Sequence, residues 1–162
     1  MSVTSGHEGG CQCGAIRYRL LRAPAALYAC HCRDCQKQSS SAFGLSMWVE
    51  RDAVEFTGAE PRIWRTRGGS GAEKVCAFCG ECGTRLYHAG GGTRAEGSTT
   101  LSMKAGTLDD TAVIAPTCHL WTKRAQPWLA PVLERDFCFE REPDSEDTLR
   151  AQWRDAGGAE TR

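Results

Sequence analysis

The sequence predicts a mainly β domain whose loops are tied by metal and which ends in a short helix. Three observations predict it. Apolar and polar residues alternate along several short stretches, cysteines gather in close-spaced groups, and glycine-rich loops punctuate the chain.

The elements follow in order. Ile16, Tyr18 and Leu20 alternate with Arg17 and Arg19, the period of a half-buried strand. Phe43, Leu45, Met47 and Val49 repeat that period, and Val54 with Phe56 forms a shorter piece. Glu50-Arg51-Asp52 reads as a polar turn between them, so residues 42–57 are expected to form a hairpin. Ile63-Trp64 and Arg85-Leu86-Tyr87 are further strand candidates. So are Thr99 to Met103 and Ala112 to Ala115, which flank the turn residues Gly106 to Asp110. Gly68 to Gly71 and Gly90 to Gly92 read as connections, because neither leads into a helix with P-loop spacing. Near the end, Ser145 caps a helix, Glu146 and Asp147 suit its first turn, and Gly157-Gly158 stop it. Leu149 and Trp153, four apart, form its apolar stripe. The expected organisation is a flexible lead over 1–8, one metal-binding domain over 9–140, and a charged, partly helical tail over 141–162, loosely attached.

Composition narrows the function classes. A chain of 162 residues, 41% apolar and 25% charged, suits one soluble domain. Twenty basic and twenty acidic residues cancel, which argues against nucleic acid or an anionic membrane as partner. Clusters such as Arg62, Arg65 and Arg67 read as a solvated face. No apolar run is long enough to span a bilayer, and the first residues lack a signal-peptide pattern, so a reducing cytoplasm is expected. Ten cysteines there point to metal rather than disulfides.

Their spacing agrees. Cys11 and Cys13 sit two apart, on one side of an extended chain, between Gly9-Gly10 and Gly14. A later C-x-x-C pair would complete a tetrahedral set, but Cys76/Cys79 and Cys79/Cys82 are equivalent on spacing alone. Cys30, Cys32 and Cys35 converge on a second ion, with about 2.3 Å expected for each Zn–S bond. His31 lies between two of these ligands, so its ring should point the other way, into packing or a supporting hydrogen bond. Asp34 suits a capping or supporting role better than ligation. One coordination position is then left open, unless Cys118, His119 or Cys138 folds back to close it.

The segments GGCQCGAIRY, CHCRDCQKQSSSAF, FCGECGTRLY, AGTLDD and HLWTKRAQPWL together resemble the glutathione-dependent formaldehyde-activating enzyme family, which also includes proteins of the centromere protein V type. The resemblance runs from about Gly9 to about Leu129. It implies an Mss4-like β-tent of antiparallel sheets with two zinc ions. By matching motif it places Cys11, Cys13, Cys79 and Cys82 on a structural zinc, since FCGECGTRLY fits F-C-x-x-C-G-x-x-L. It places Cys30, Cys32 and Cys35 on a catalytic-type zinc. Cys76, Cys118 and Cys138 have no place in the pattern and read as small buried hydrophobes. Ser40 departs from the glycine common there, which leaves the path of that loop open.

The implied activity adds glutathione to formaldehyde, giving S-hydroxymethylglutathione; its reversal makes the enzyme a carbon–sulfur lyase. Three thiolates leave a zinc centre with a formal charge of −1, poor for activating water but suited to a fourth sulfur. His31, Asp34 or His119 could supply the proton to the aldehyde oxygen, and His119 is the candidate of most interest, although a backbone-bonded histidine is the plainer reading. Glutathione carries two carboxylates, so Arg17, Arg33, Arg65 and Lys104 are candidates for its recognition. Trp48, Trp64, Trp121 and Trp128 are expected in the core rather than around the substrate. The competing class is a non-catalytic, zinc-stiffened module that binds protein or nucleic acid. Rubredoxin-like electron transfer fits less well, because the second site supplies three local thiolates.

Overall fold

A computed structural model of the chain describes residues 3–68, 71–90, 98–116, 118–143 and 145–155. Among these residues eleven strands form two sheets. The smaller contains β1 (Glu8–Gly10), β2 (Ile16–Leu20) and β5 (Val54–Gly58), with β2 in the centre. The larger contains β3 (Ala26–Cys30), β4 (Gly44–Glu50), β6 (Arg62–Arg67), β7 (Glu73–Phe78), β8 (Arg85–Gly90), β9 (Thr100–Lys104), β10 (Cys118–Leu120) and β11 (Phe137–Phe139). Its order is β11-β10-β3-β4-β9-β8-β7-β6. Pairing is antiparallel except at β10, which runs parallel to both β3 and β11.

The expected hairpin over 42–57 does not form. β4 is buried on both faces and pairs on both edges, with β3 and β9, so it takes a central place in the large sheet. A 3₁₀ turn over Arg51–Ala53 then carries the chain across to β5, which pairs with β2. Residues 112–115 are not a strand either. The Asp110 carboxylate accepts from the Ala112 N–H and starts a 3₁₀ turn over Thr111–Val113. β3 escaped the sequence reading because all five of its residues are buried, which erases the period of two.

The core lies between the sheets. Tyr18, Leu20 and Val54 of the small sheet pack with Leu27, Met47, Val49, Leu101 and Met103 of the large one. Val3 is fully buried there and β1 is paired, so residues 3–10 are part of the packed fold. Asp109, from the AGTLDD segment, takes both nitrogens of the Arg17 guanidinium fork and ties the turn after β9 to β2.

Three helices complete the described chain: α1 (Arg33–Ser39), α2 (Ala130–Leu133) and α3 (Glu146–Asp155). α3 is the helix expected near the end. Ser145 Oγ accepts from the Thr148 N–H at 3.2 Å, and Leu149 and Trp153 are buried. Arg150 stacks 4.6 Å from the Trp48 ring and pairs with Glu50 at 2.8 Å, so the helix is held against the large sheet. The expected helix stop at Gly157-Gly158 and parts of both glycine-rich loops lie outside the described residues. No helix among the described residues is long and apolar enough to cross a membrane.

Candidate metal centres and the adjoining cleft

The first cluster joins two tight turns. Cys11 and Cys13 follow β1, where Gly14 at φ +77° lets the chain reverse; Cys79 and Cys82 lie in the turn between β7 and β8. The four sulfurs all lie within 4.8 Å of one another. Cys11 to Cys13 is 3.5 Å and Cys13 to Cys79 is 3.7 Å. Four sulfurs bound tetrahedrally at about 2.3 Å would stand about 3.8 Å apart, so the spacing fits a zinc-sized ion. The Ile16 N–H donates to Cys11 Sγ at 3.2 Å, and Thr84 Oγ1 lies 3.1 Å from Cys82 Sγ. The Thr84 hydroxyl and backbone bring the Cys82 thiol down to about 5, favouring the thiolate that a metal requires. Cys76 is buried on β7, outside this group.

The second cluster is built around α1, a helix with no apolar stripe and therefore absent from the sequence reading. Cys30 ends β3, Cys32 caps the helix, and Cys35 is its one buried residue. The Cys35 N–H points to Cys32 Sγ at 3.4 Å, and the three sulfurs lie within 4.8 Å of one another. Gly44 pairs with Cys30, and a Cβ there would stand 3.3 Å from Cys35 Cβ, so a side chain at this position would crowd the cluster. Hydrogen bonds from Cys30 and Cys35 hold the Cys32 thiol far below its usual range, while that same thiolate, then Cys35 and burial, push Cys30 far up. The three neighbouring thiols thus oppose one another's ionisation, and a divalent cation would relieve that repulsion. Among the described residues no fourth histidine, cysteine or carboxylate joins this group.

The other candidates are placed as follows. Asp34 is exposed on α1, apart from the cluster. Cys118 is buried on β10, and exposed Cys138 donates to the Leu133 carbonyl, so neither closes the set. His119 pairs in register with Ala29, which by alternation directs it to the face of the sheet away from Cys30. It bonds side chains rather than backbone: Nδ1 lies 2.9 Å from His31 Nε2, and Nε2 lies 2.9 Å from Asp136 Oδ2. With both rings neutral, the Asp136 carboxylate accepts from His119 Nε2–H, and His119 Nδ1 accepts from His31 Nε2–H. Burial, with His119 beside it, pushes His31 down to about 4. Gln36 Nε2 donates to the His31 carbonyl at 2.7 Å and the Arg124 carbonyl at 3.0 Å, bracing the same loop. Ser40 ends α1 in the left-handed region at φ +50°, ψ +38°, the conformation for which glycine is suited.

A cleft of about 320 Å³ opens beside Cys35, lined by Phe43, Leu45, Thr107, Arg85 and Lys104. Of the expected anion-binding residues, Lys104 lines it; Arg17 is taken by Asp109, Arg33 bonds Gln36 at the surface, and Arg65 lies on β6. Arg85 was not singled out from the sequence, where it looks like the polar member of a strand. Trp48 is buried and Trp121 half-buried, but Trp64 and Trp128 are exposed, contrary to the expectation of core positions. Trp64 lies on edge strand β6, with the Arg85 guanidinium carbon 5.8 Å from its ring centre.

Residues 6–124 match the family described as glutathione-dependent formaldehyde-activating enzyme. The chain belongs to that family. It is also 31% identical over 83 residues to a protein of Schizosaccharomyces pombe named as an uncharacterized lyase, a match covering 51% of this chain and 57% of that protein. The chain thus spans little more than half the length of that curated relative. A crystal structure of a Rhodobacter sphaeroides protein aligns with a TM-score of 0.46 and 18% identity, over 63% of this chain and 87% of that one.

Proposed function

We propose that this member of the family is a carbon–sulfur lyase that joins a glutathione-like thiol to a small aldehyde such as formaldehyde, or reverses that addition. The observation that supports this most directly is the three-thiol cluster, which lacks a fourth protein ligand among the described residues and has Cys35 on the wall of a cleft. Cys30, Cys32 and Cys35 would hold a zinc ion, and Cys11, Cys13, Cys79 and Cys82 a second, structural one. At the three-cysteine site the ion would favour loss of the proton from an incoming thiol, whose free pKa is about 8.5.

In the addition, the substrate sulfur forms a bond to the aldehyde carbon, the C=O π pair moves to oxygen, and that oxygen takes a proton. The protein's part is to present a shaped cleft and hold the three cysteines in place. α1 and the Gln36 hydrogen bonds fix the loop, and Gly44 leaves room beside Cys35. The proton-donor role expected for His119 is not retained, because both its ring nitrogens are engaged and it lies on the opposite face of the sheet. It supports His31 instead.

The test is to count zinc per chain, follow metal coordination by X-ray absorption while titrating glutathione, and assay S-hydroxymethylglutathione formation from glutathione and formaldehyde. Two zinc ions, a new sulfur ligand on adding thiol, and turnover above the uncatalysed rate are expected. Four protein ligands at the Cys30 site, unchanged by thiol, would sink the enzyme reading in favour of a zinc-stiffened binding module.

A further inference from the structure

The cleft beside Cys35 carries two cationic side chains and, among its described lining residues, no carboxylate. Arg85 Nε and Nη2 are both screened from solvent and have no hydrogen-bond partner among the described residues. These two nitrogens share one edge of the guanidinium, the edge on which a carboxylate makes two parallel hydrogen bonds. Trp64 lies over the guanidinium on the side of the edge strand. These nitrogens are not exposed in the cleft as it stands, but a buried charged donor pair left unmade is unfavourable, so an anion in the cleft would draw the Arg85 fork towards it.

Lys104 is placed by register. It pairs with Ser46, which pairs with Tyr28, so alternation sets Lys104 on the same face of the large sheet as Cys30. Its Nζ donates to His88 Nδ1 at 3.2 Å, which uses one of its three protons and orients it. Neither cation makes a hydrogen bond to a sulfur of the cluster, so their donors are not consumed by the three cysteines.

We propose that Arg85 and Lys104 form an anion-recognition pair that makes this cleft select thiols bearing a carboxylate, with the substrate sulfur at the cluster and its carboxylate on the Arg85 fork. The proposal rests on the reading of the three-cysteine cluster as the thiol site. The competing explanation is that the two cations only offset the charge of the thiolates, in which case the identity of the thiol would not matter to them.

Two measurements on the zinc-loaded protein separate these. The first is calorimetric binding of S-methylglutathione, which keeps both carboxylates but has no free thiol. Arg85→Gln or Lys104→Gln should weaken it by roughly tenfold to a hundredfold, the effect of losing one charge-assisted hydrogen bond. The second is the ratio of KM values for 3-mercaptopropionate and neutral 2-mercaptoethanol, each with formaldehyde. The wild type should favour the carboxylate thiol, and the ratio should approach one in the variants. Arg85→Lys, which keeps the charge but loses the fork, should also weaken S-methylglutathione; it carries the test if Arg85→Gln does not fold. Variants that bind S-methylglutathione like the wild type, or keep the wild-type KM ratio, overturn the proposal. Wild-type binding of S-methylglutathione that the variants lose, with no turnover of any thiol, would instead support the anion site while removing the lyase reading.

Discussion

Replacing Cys79 and Cys82 together by serine should unfold one corner of this protein, whereas Cys35→Ser should not. Beneath the four-cysteine cluster the buried apolar set is small: besides Cys11 and Cys79 themselves, Ile16 and Leu86. Each contributes about 1.5–3 kcal/mol by burial, together less than the roughly 10–16 kcal/mol that zinc supplies in finger peptides. If zinc is bound there as proposed, removing two of the four cysteines takes away more than that corner can replace, and an amount comparable to a domain's whole net stability of about 5–15 kcal/mol. Cys35 sits instead on the large core that runs from Val3 to Trp153, where Leu27, Met47, Leu101 and Met103 pack without any metal. Thermal unfolding by circular dichroism, with zinc counted per chain, tests the difference. The double variant should show that corner already unfolded at 37 °C, ahead of the transition of the large core. Cys35→Ser should melt cooperatively within a few degrees of wild type, with one zinc fewer and no thiol-induced change in metal coordination. If Cys35→Ser melts as early as the double variant, the division into a fold-holding and a substrate-binding cluster is wrong.

Ser40→Gly should stabilise the protein by about 0.5–1 kcal/mol in urea unfolding, since the left-handed residue after α1 loses its Cβ penalty but gains chain entropy when unfolded. Trp153→Ala should destabilise by about 3 kcal/mol, because the side chain is buried where α3 meets the sheet; a change below 1 kcal/mol would mean the helix is only loosely held. His88 is pushed well below its usual pKa by burial, then by Lys104, Lys74 and Arg85. The unfolded chain therefore binds this proton first as pH falls, and the same holds for His31, so stability drops below about pH 6.5 by up to about 1.4 kcal/mol per unit for each of the two, and His88→Gln should remove about half of that slope.

Much of the fold could be read from local pattern where one face of a strand is wet. β2 shows its alternation because Arg17 and Arg19 point outward, and α3 shows its cap and stripe because Ser145, Leu149 and Trp153 stand at fixed helical offsets. β3 and β4 are buried on both sides, so their pattern carries no information about which sheet they join. α1 was invisible because it is held by the cysteine loop and has no apolar stripe.

The candidate site divides in the same way. Cysteines two or three residues apart converge within a single turn, so Cys11 with Cys13, and Cys30 with Cys32 and Cys35, were legible from spacing as groups that could hold a metal. Spacing left Cys76–Cys79 and Cys79–Cys82 equivalent, and the family motif chose the second pair. In the fold Cys76 is still in the paired part of β7, opposite Trp64 and His88, while Cys79 and Cys82 curl in the turn beyond it. The link from His31 through His119 to Asp136, and the meeting of Arg85 and Lys104 beside Cys35, were decided only by tertiary structure. Those neighbours are set by the register of strands far apart in the chain, and local sequence carries no period that records it.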